Sequence, residues 1–145
     1  MNESELKPYR RDYYRYKAGE VLEVVLALPF AQGNVLKYIF RPGKGRYVED
    51  LGKALFYLQQ ARDTTDLAIS STVPNLPFQA TRLVKKVDDF AEELEERGFP
   101  LAASAAAHAI RAFTARPRAA RAYAYANAEG FIKEQINLLN KLNKE

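Results

Sequence analysis

Apolar residues recur along this chain mostly at three- and four-residue spacings, the period of a helix rather than of a strand. Residues 18–28 place Val21, Leu22, Val24, Val25 and Leu28 on one helix face, and Pro29 ends the segment. Glu20 and Glu23 interrupt the alternation that a strand would need. Asn34 reads as the N-cap of a second helix over 35–41. The stretch "RPGKGR" is a turn, because Pro42 fixes φ while Gly43 and Gly45 admit positive φ. A third helix is expected over 48–62, with Leu51, Leu55 and Leu58 as its stripe and Ala54 and Phe56 beside it. Its acids, Glu49 and Asp50, lie in the first turn, where the helix dipole favours them. Gly52 sits inside this helix, where a better helix former is expected.

The polar stretch 64–78, with Pro74 and Pro77, reads as a linker. Beyond it, Leu83, Val84, Val87, Phe90, Ala91 and Leu94 mark an amphipathic helix over 79–97. Gly98 stops that helix and Pro100 starts an alanine-rich one through Phe113, apolar almost all round and therefore expected to be buried. A last helix restarts in the 114–117 region and runs to Leu142. Ile132, Ile136, Leu139 and Leu142 share one of its faces, and Gly130 is a candidate bend. The fold class is all-α, a helical bundle. It comprises an arm over 1–15, a short helix–turn–helix unit over 16–63, the linker, and helical hairpins over 79–145. The tyrosines Tyr9, Tyr13, Tyr14 and Tyr16 alternate with arginines at the start. They form either a frayed arm or a segment that lays its rings on the body.

Composition changes this picture in three places. The 145 residues suffice for one domain with a real core. The lack of cysteine excludes a disulfide scaffold and any thiolate metal site. A net charge of +4 admits nucleotide or nucleic-acid partners without requiring them. No apolar run approaches a membrane span, and the first residues carry no signal-peptide core, so a cytoplasmic protein with no membrane partner is expected.

The candidate chemistry centres on residues 32–58. Lys37 and Arg41 are four apart, and Asp50, Lys53 and Tyr57 fall at i, i+3 and i+7, so each set shares a helix face. With Lys44 in the glycine turn, two helices could point these cations into one groove, aided by free N–H groups near Asn34. Phosphate suits such donors, and Tyr38 or Tyr57 could stack a base. The same residues also fit a solvated rim around core tyrosines, and spacing alone favours that reading. Glu20, Glu23, Glu49 and Asp50 could hold magnesium together with substrate phosphates, or Glu20 and Glu23 could pair with Lys37 or Arg41. The acids of "DDFAEELEE" read as a solvated face or one that meets a basic partner. Arg111, Arg116, Arg118 and Arg121 form either a nucleic-acid or partner patch or the basic side of a hairpin with that acidic helix. His108 reads as a packed or partly exposed helix residue. "RPGKGR" lacks the spacing of a phosphate-binding P-loop, and no nucleophile elbow or zinc motif is present.

The order Gly33, Asn34, Lys37, Tyr38, Arg41, Lys44, Asp50, Leu51, Lys53, Ala54, Tyr57, Leu58 resembles the phage-encoded nucleotide kinase-like (SaV-like) family, which includes a phage nucleotide kinase. The resemblance covers about residues 16–62. A His-Tyr pair common in the family is replaced here by "YRYKAG". The resemblance implies a phage-type nucleotide-binding protein, nucleoside monophosphate kinase-like, acting in the host cytoplasm. Asn34, Lys37, Tyr38, Arg41, Lys44, Asp50, Lys53 and Tyr57 would form the nucleotide site, with ATP as a candidate cofactor and magnesium left open. Two alternatives stand beside it. One is a non-enzymatic protein that binds a host protein or sequesters a nucleotide signal. The other is nucleic-acid binding through the arginines at 111–121. Self-association into a homo-oligomer is compatible with the alanine-rich hairpin.

Overall fold

The computed structural model describes residues 14–43, 46–64 and 76–144. The first described segment forms a hairpin of two-residue strands, β1 (Arg15–Tyr16) antiparallel to β2 (Gly19–Glu20), with Tyr16 opposite Gly19. Among the described residues six helices follow: α1 (Leu22–Val25), α2 (Phe30–Ile39), α3 (Tyr47–Asp63), α4 (Leu76–Glu96), α5 (Pro100–Thr114) and α6 (Arg118–Lys144). The protein is an all-α bundle with one small β-hairpin.

The expected helix over 18–28 is replaced by the hairpin and the short α1. Tyr14 and Tyr16 are buried, so their pull on the core sets the path of the backbone here. The Val21 N–H donates to the Tyr14 carbonyl at 3.0 Å, and Glu23 turns back to accept from the Glu20 N–H at 3.3 Å. These bonds tie the segment back on itself as a hairpin and short turn instead of a continuous helix. Of the N-terminal tyrosines, Tyr14 and Tyr16 do lay their rings on the body, whereas Tyr9 and Tyr13 lie outside the described residues.

The second helix begins five residues earlier than its sequence signature suggests. Pro29, which lacks an N–H, caps α2, and its carbonyl accepts from the Gly33 N–H at 2.8 Å. Asn34 is therefore inside α2 rather than at its start, and its amide donates to the Phe30 carbonyl at 2.8 Å. Gly33 is buried where α2 crosses the end of α1, and a Cβ there would stand 2.7 Å from the Val25 carbonyl oxygen. Gly33→Ala is expected to destabilise the protein by about 1–3 kcal/mol, because backbone must move to admit the methyl. Urea denaturation followed by circular dichroism measures this, and an unchanged midpoint would show the crossing to be loose.

The other helices lie close to their predicted spans. Gly98, with φ +104°, turns the chain out of α4, and Pro100 enters the first turn of α5. Residues 76–78 of the expected linker belong to α4, and 65–75 lie outside the described residues. The alanine-rich α5 is the centre of the bundle. It packs mainly on α4 and α6 and also touches α2, while α3 packs on α2 and α6. Six alanines of α5 are buried, and their small side chains let the neighbouring helices approach closely. At its N-terminus, the buried Gln135 of α6 accepts from the Ala102 N–H at 3.0 Å, satisfying a donor that has no partner within the helix. α6 runs unbroken through Gly130.

One core joins the segments on either side of 64–78. Phe90 of α4 is fully buried against Tyr16 of the hairpin and Phe40 at the end of α2, with ring centres 5.4 and 5.8 Å away. No described helix is long and apolar enough to cross a membrane.

Candidate functional site

The residues singled out around the α2–α3 turn divide into a buried frame and an exposed face. The frame is built on the C-terminus of α2, whose last carbonyls lack helical partners. The Tyr47 hydroxyl donates to the Ile39 carbonyl, and the Tyr16 hydroxyl donates to that of Phe40 at 3.2 Å. Burial pushes both phenols well above the usual tyrosine range, with Arg97 partly opposing it at Tyr16, so both remain neutral donors.

Arg41 follows directly and turns inward. Its Nε and Nη2 donate to the two Asp50 carboxylate oxygens at 3.3 and 3.0 Å, and its Nη1 to the Tyr14 hydroxyl at 3.1 Å. Arg41 and Asp50 are only 6% and 5% exposed. Burial works against the arginine's charge, but the hydrogen bonds to Asp50 and Tyr14 outweigh it and hold the guanidinium charged. Arg41 and Asp50, grouped by sequence with the phosphate-binding residues, thus spend their hydrogen bonds on each other and on Tyr14. Helical periodicity put Asp50 on one face with Lys53 and Tyr57. In the fold the first is buried, the second exposed and the third half-buried.

The face lies outside this frame. Tyr38 and Tyr57 stack with parallel rings, 6.0 Å between centres and 5° between planes. Phe30 and Phe56 each meet Tyr57 edge-on, at 5.8 and 5.3 Å, and both are well exposed, at 77% and 55%. Three cations border the Tyr38 ring: the Arg41 guanidinium at 4.4 Å, the Lys53 ammonium at 5.4 Å and the Lys37 ammonium at 5.6 Å from its centre. Asp50 neutralises Arg41, and Glu49 pairs with Arg46 at 3.5 Å. Lys37 and Lys53 have no carboxylate partner among the described residues, so the face carries two uncompensated positive charges beside aromatic rings. A shallow depression of about 470 Å³ opens there, lined by Tyr38, Glu49, Gly52, Lys53, Phe56 and Tyr57. Lys44 lies outside the described residues. Position inside α2 removes Asn34 as a source of free N–H groups, since the first turn of that helix lies at Phe30.

Sequence spacing did not single out Phe30, and it placed Phe56 beside the apolar stripe of its helix. The available signal for Phe56 was its offset from Leu51, Leu55 and Leu58, which puts it at the border of the buried stripe.

Several of the other charges singled out by sequence form ion pairs within the chain. Glu23 pairs with Lys86 at 3.5 Å rather than with Lys37 or Arg41. Glu23, Glu49 and Asp50 therefore face three different cations, and among the described residues no group of three acids or histidines could hold a metal ion. Arg111 binds Asp88 through two bonds of 2.8 Å across the α4–α5 hairpin, and these hydrogen bonds hold its charge against partial burial. Lys85 pairs with Asp89 and Arg97 with Glu93, so much of the acidic stretch is matched within the chain. Arg121 donates to the Arg116 carbonyl, and Arg116 and Arg118 are exposed at the α5–α6 turn. His108 is half-buried, its Nδ1 2.8 Å from the Ser104 carbonyl and its ring tilted on Phe131.

Comparison with family models, curated proteins and solved structures finds no match to this chain.

Proposed function

We propose that this chain binds a nucleotide on the α2–α3 face, with the base on the aromatic rim and the phosphates on Lys37 and Lys53. The observation that carries this reading is the pair of uncompensated lysines bordering one tyrosine ring, in a surface that also exposes Phe30 and Phe56. A nucleotide combines a flat π-system with phosphate negative charge, and this face offers a counterpart to each. The resemblance of residues 33–58 to the phage nucleotide kinase-like pattern, read from the sequence, points to the same ligand class. Arg41 and Asp50 serve it indirectly, by locking the helices that carry Tyr38, Lys37 and Lys53.

Titration calorimetry with ATP, GTP, CTP and UTP at low salt tests the reading, and absence of binding to all four would sink it. Lys53→Glu is expected to weaken nucleotide binding by at least ~10-fold, the equivalent of about 1.5 kcal/mol for one charge-assisted contact. Its melting temperature should stay close to that of the unaltered protein, because Lys53 is exposed. Incubation with ATP and each nucleoside monophosphate then separates two roles. Diphosphate product makes the chain a kinase, whereas binding without product makes it a sequestering protein.

The exposure of Leu26 and Phe30 (83% and 77%) favours a second reading, the docking of a host protein on this side of the molecule. A partner captured from host lysate and released by Phe30→Ser, but not by nucleotide, would support it.

A further inference from the structure

Gly52 is an anomaly in α3. It lies six residues into a 17-residue helix, exposed, with no left-handed φ. A Cβ placed on it would meet nothing within 4 Å. Neither backbone conformation nor packing therefore requires glycine, and most other residues would make a better helix. What its missing side chain does is open the helix surface. Glu49 precedes Gly52 by three residues and Phe56 follows by four, so both stand one turn away on the same side of α3. Gly52 becomes floor in the depression that these two residues line with Lys53, Tyr38 and Tyr57. Beside that floor, Phe56 holds its ring against Tyr57 while remaining 55% exposed.

We infer that Gly52 is a ligand-contact position, the seat on which the nucleotide base lies flat against the backbone of α3. The base abuts the Phe56 ring, and its phosphates extend toward Lys53 and Lys37. This inference rests on the nucleotide reading and adds the place of the base. The Glu49 carboxylate, at the other end of the seat, accepts hydrogen bonds from N–H groups on the base edge. An isolated anion needs only the lysines and ignores the seat.

The test is a pair of substitutions that improve the helix while filling the seat, Gly52→Ala and Gly52→Leu. Both are expected to raise the melting temperature, Gly52→Ala by about 2–4 °C. Gly52→Leu is also expected to weaken binding of the best of ATP, GTP, CTP and UTP by at least ~10-fold, with Gly52→Ala showing a smaller loss. Tripolyphosphate should bind Gly52→Leu as it binds the unaltered protein. Gly130→Ala, at a helix glycine that likewise has nothing within 4 Å, should leave nucleotide binding unchanged. If none of the four nucleotides binds the unaltered protein, the nucleotide reading itself fails. If one binds, and Gly52→Leu retains affinity within twofold, only the seat is overturned. An equal loss of nucleotide and tripolyphosphate overturns it too, by showing that the leucine obstructs the phosphate contacts. A lowered melting temperature for Gly52→Ala would reveal a structural need for glycine and overturn the seat equally.

Discussion

Asp50→Ala is expected to destabilise the protein by about 3–5 kcal/mol, the usual cost of leaving one member of a buried ion pair without its partner. The Arg41 guanidinium would keep its bond to the Tyr14 hydroxyl but lose both carboxylate bonds, at a site only 6% exposed. Water cannot readily replace them there, so desolvation of the charge is left uncompensated. The measurement is the urea midpoint followed by circular dichroism, with a fall in melting temperature of about 10 °C as the thermal counterpart. Removing both charges, in Arg41→Met with Asp50→Leu, is expected to recover a large part of the loss, since no unpaired charge then remains buried. A change below about 1 kcal/mol on Asp50→Ala would mean that the pair behaves as a surface salt bridge. Arg41 would then be available to a ligand after all.

Phe90→Ala is expected to cost a similar amount, about 3–5 kcal/mol, from lost burial and the cavity left behind. The ring has no exposure and touches Tyr16 and Phe40, so it ties α4 to both the hairpin and the end of α2. Because these contacts join the segments on either side of 64–78, unfolding should remain one transition at lower denaturant. Coincident far-ultraviolet and tyrosine-fluorescence curves, with an unchanged slope, are the expected result. Two separated transitions would show instead that residues 16–63 and 79–145 fold as independent units.

Legibility along the chain followed the local physics. The helices α3, α4, α5 and α6 could be read nearly end to end. Their apolar stripes repeat over many turns, and Gly98 and Pro100 act on backbone angles directly. The region before Gly33 departs from its periodicity because it is short and its path depends on distant partners. Tyr14 and Tyr16 go inside since Arg41, Phe40 and Phe90 receive them, and none of these is a sequence neighbour. The true start of α2 was obscured by Asn34, a good N-cap residue that instead bonds back to the Phe30 carbonyl. At the candidate site, the sequence showed which cations cluster in residues 37–53. It could not sort them, because a side chain's partner is chosen across the turn between helices.

Local sequence is enough to specify an all-α chain, most of its helix boundaries, a buried alanine-rich helix and the concentration of charge and aromatic rings around the α2–α3 turn. These follow from periodicity, propensity and backbone restriction, which act within a few residues. The tertiary structure alone decided that Arg41 and Asp50 neutralise each other inside and that Arg111 is matched by Asp88. It alone left Lys37 and Lys53 beside Tyr38 with no carboxylate partner among the described residues and made Gly52 the floor of a depression. Those outcomes rest on desolvation and charge pairing between distant segments, and both depend on which surfaces the packed helices bring together.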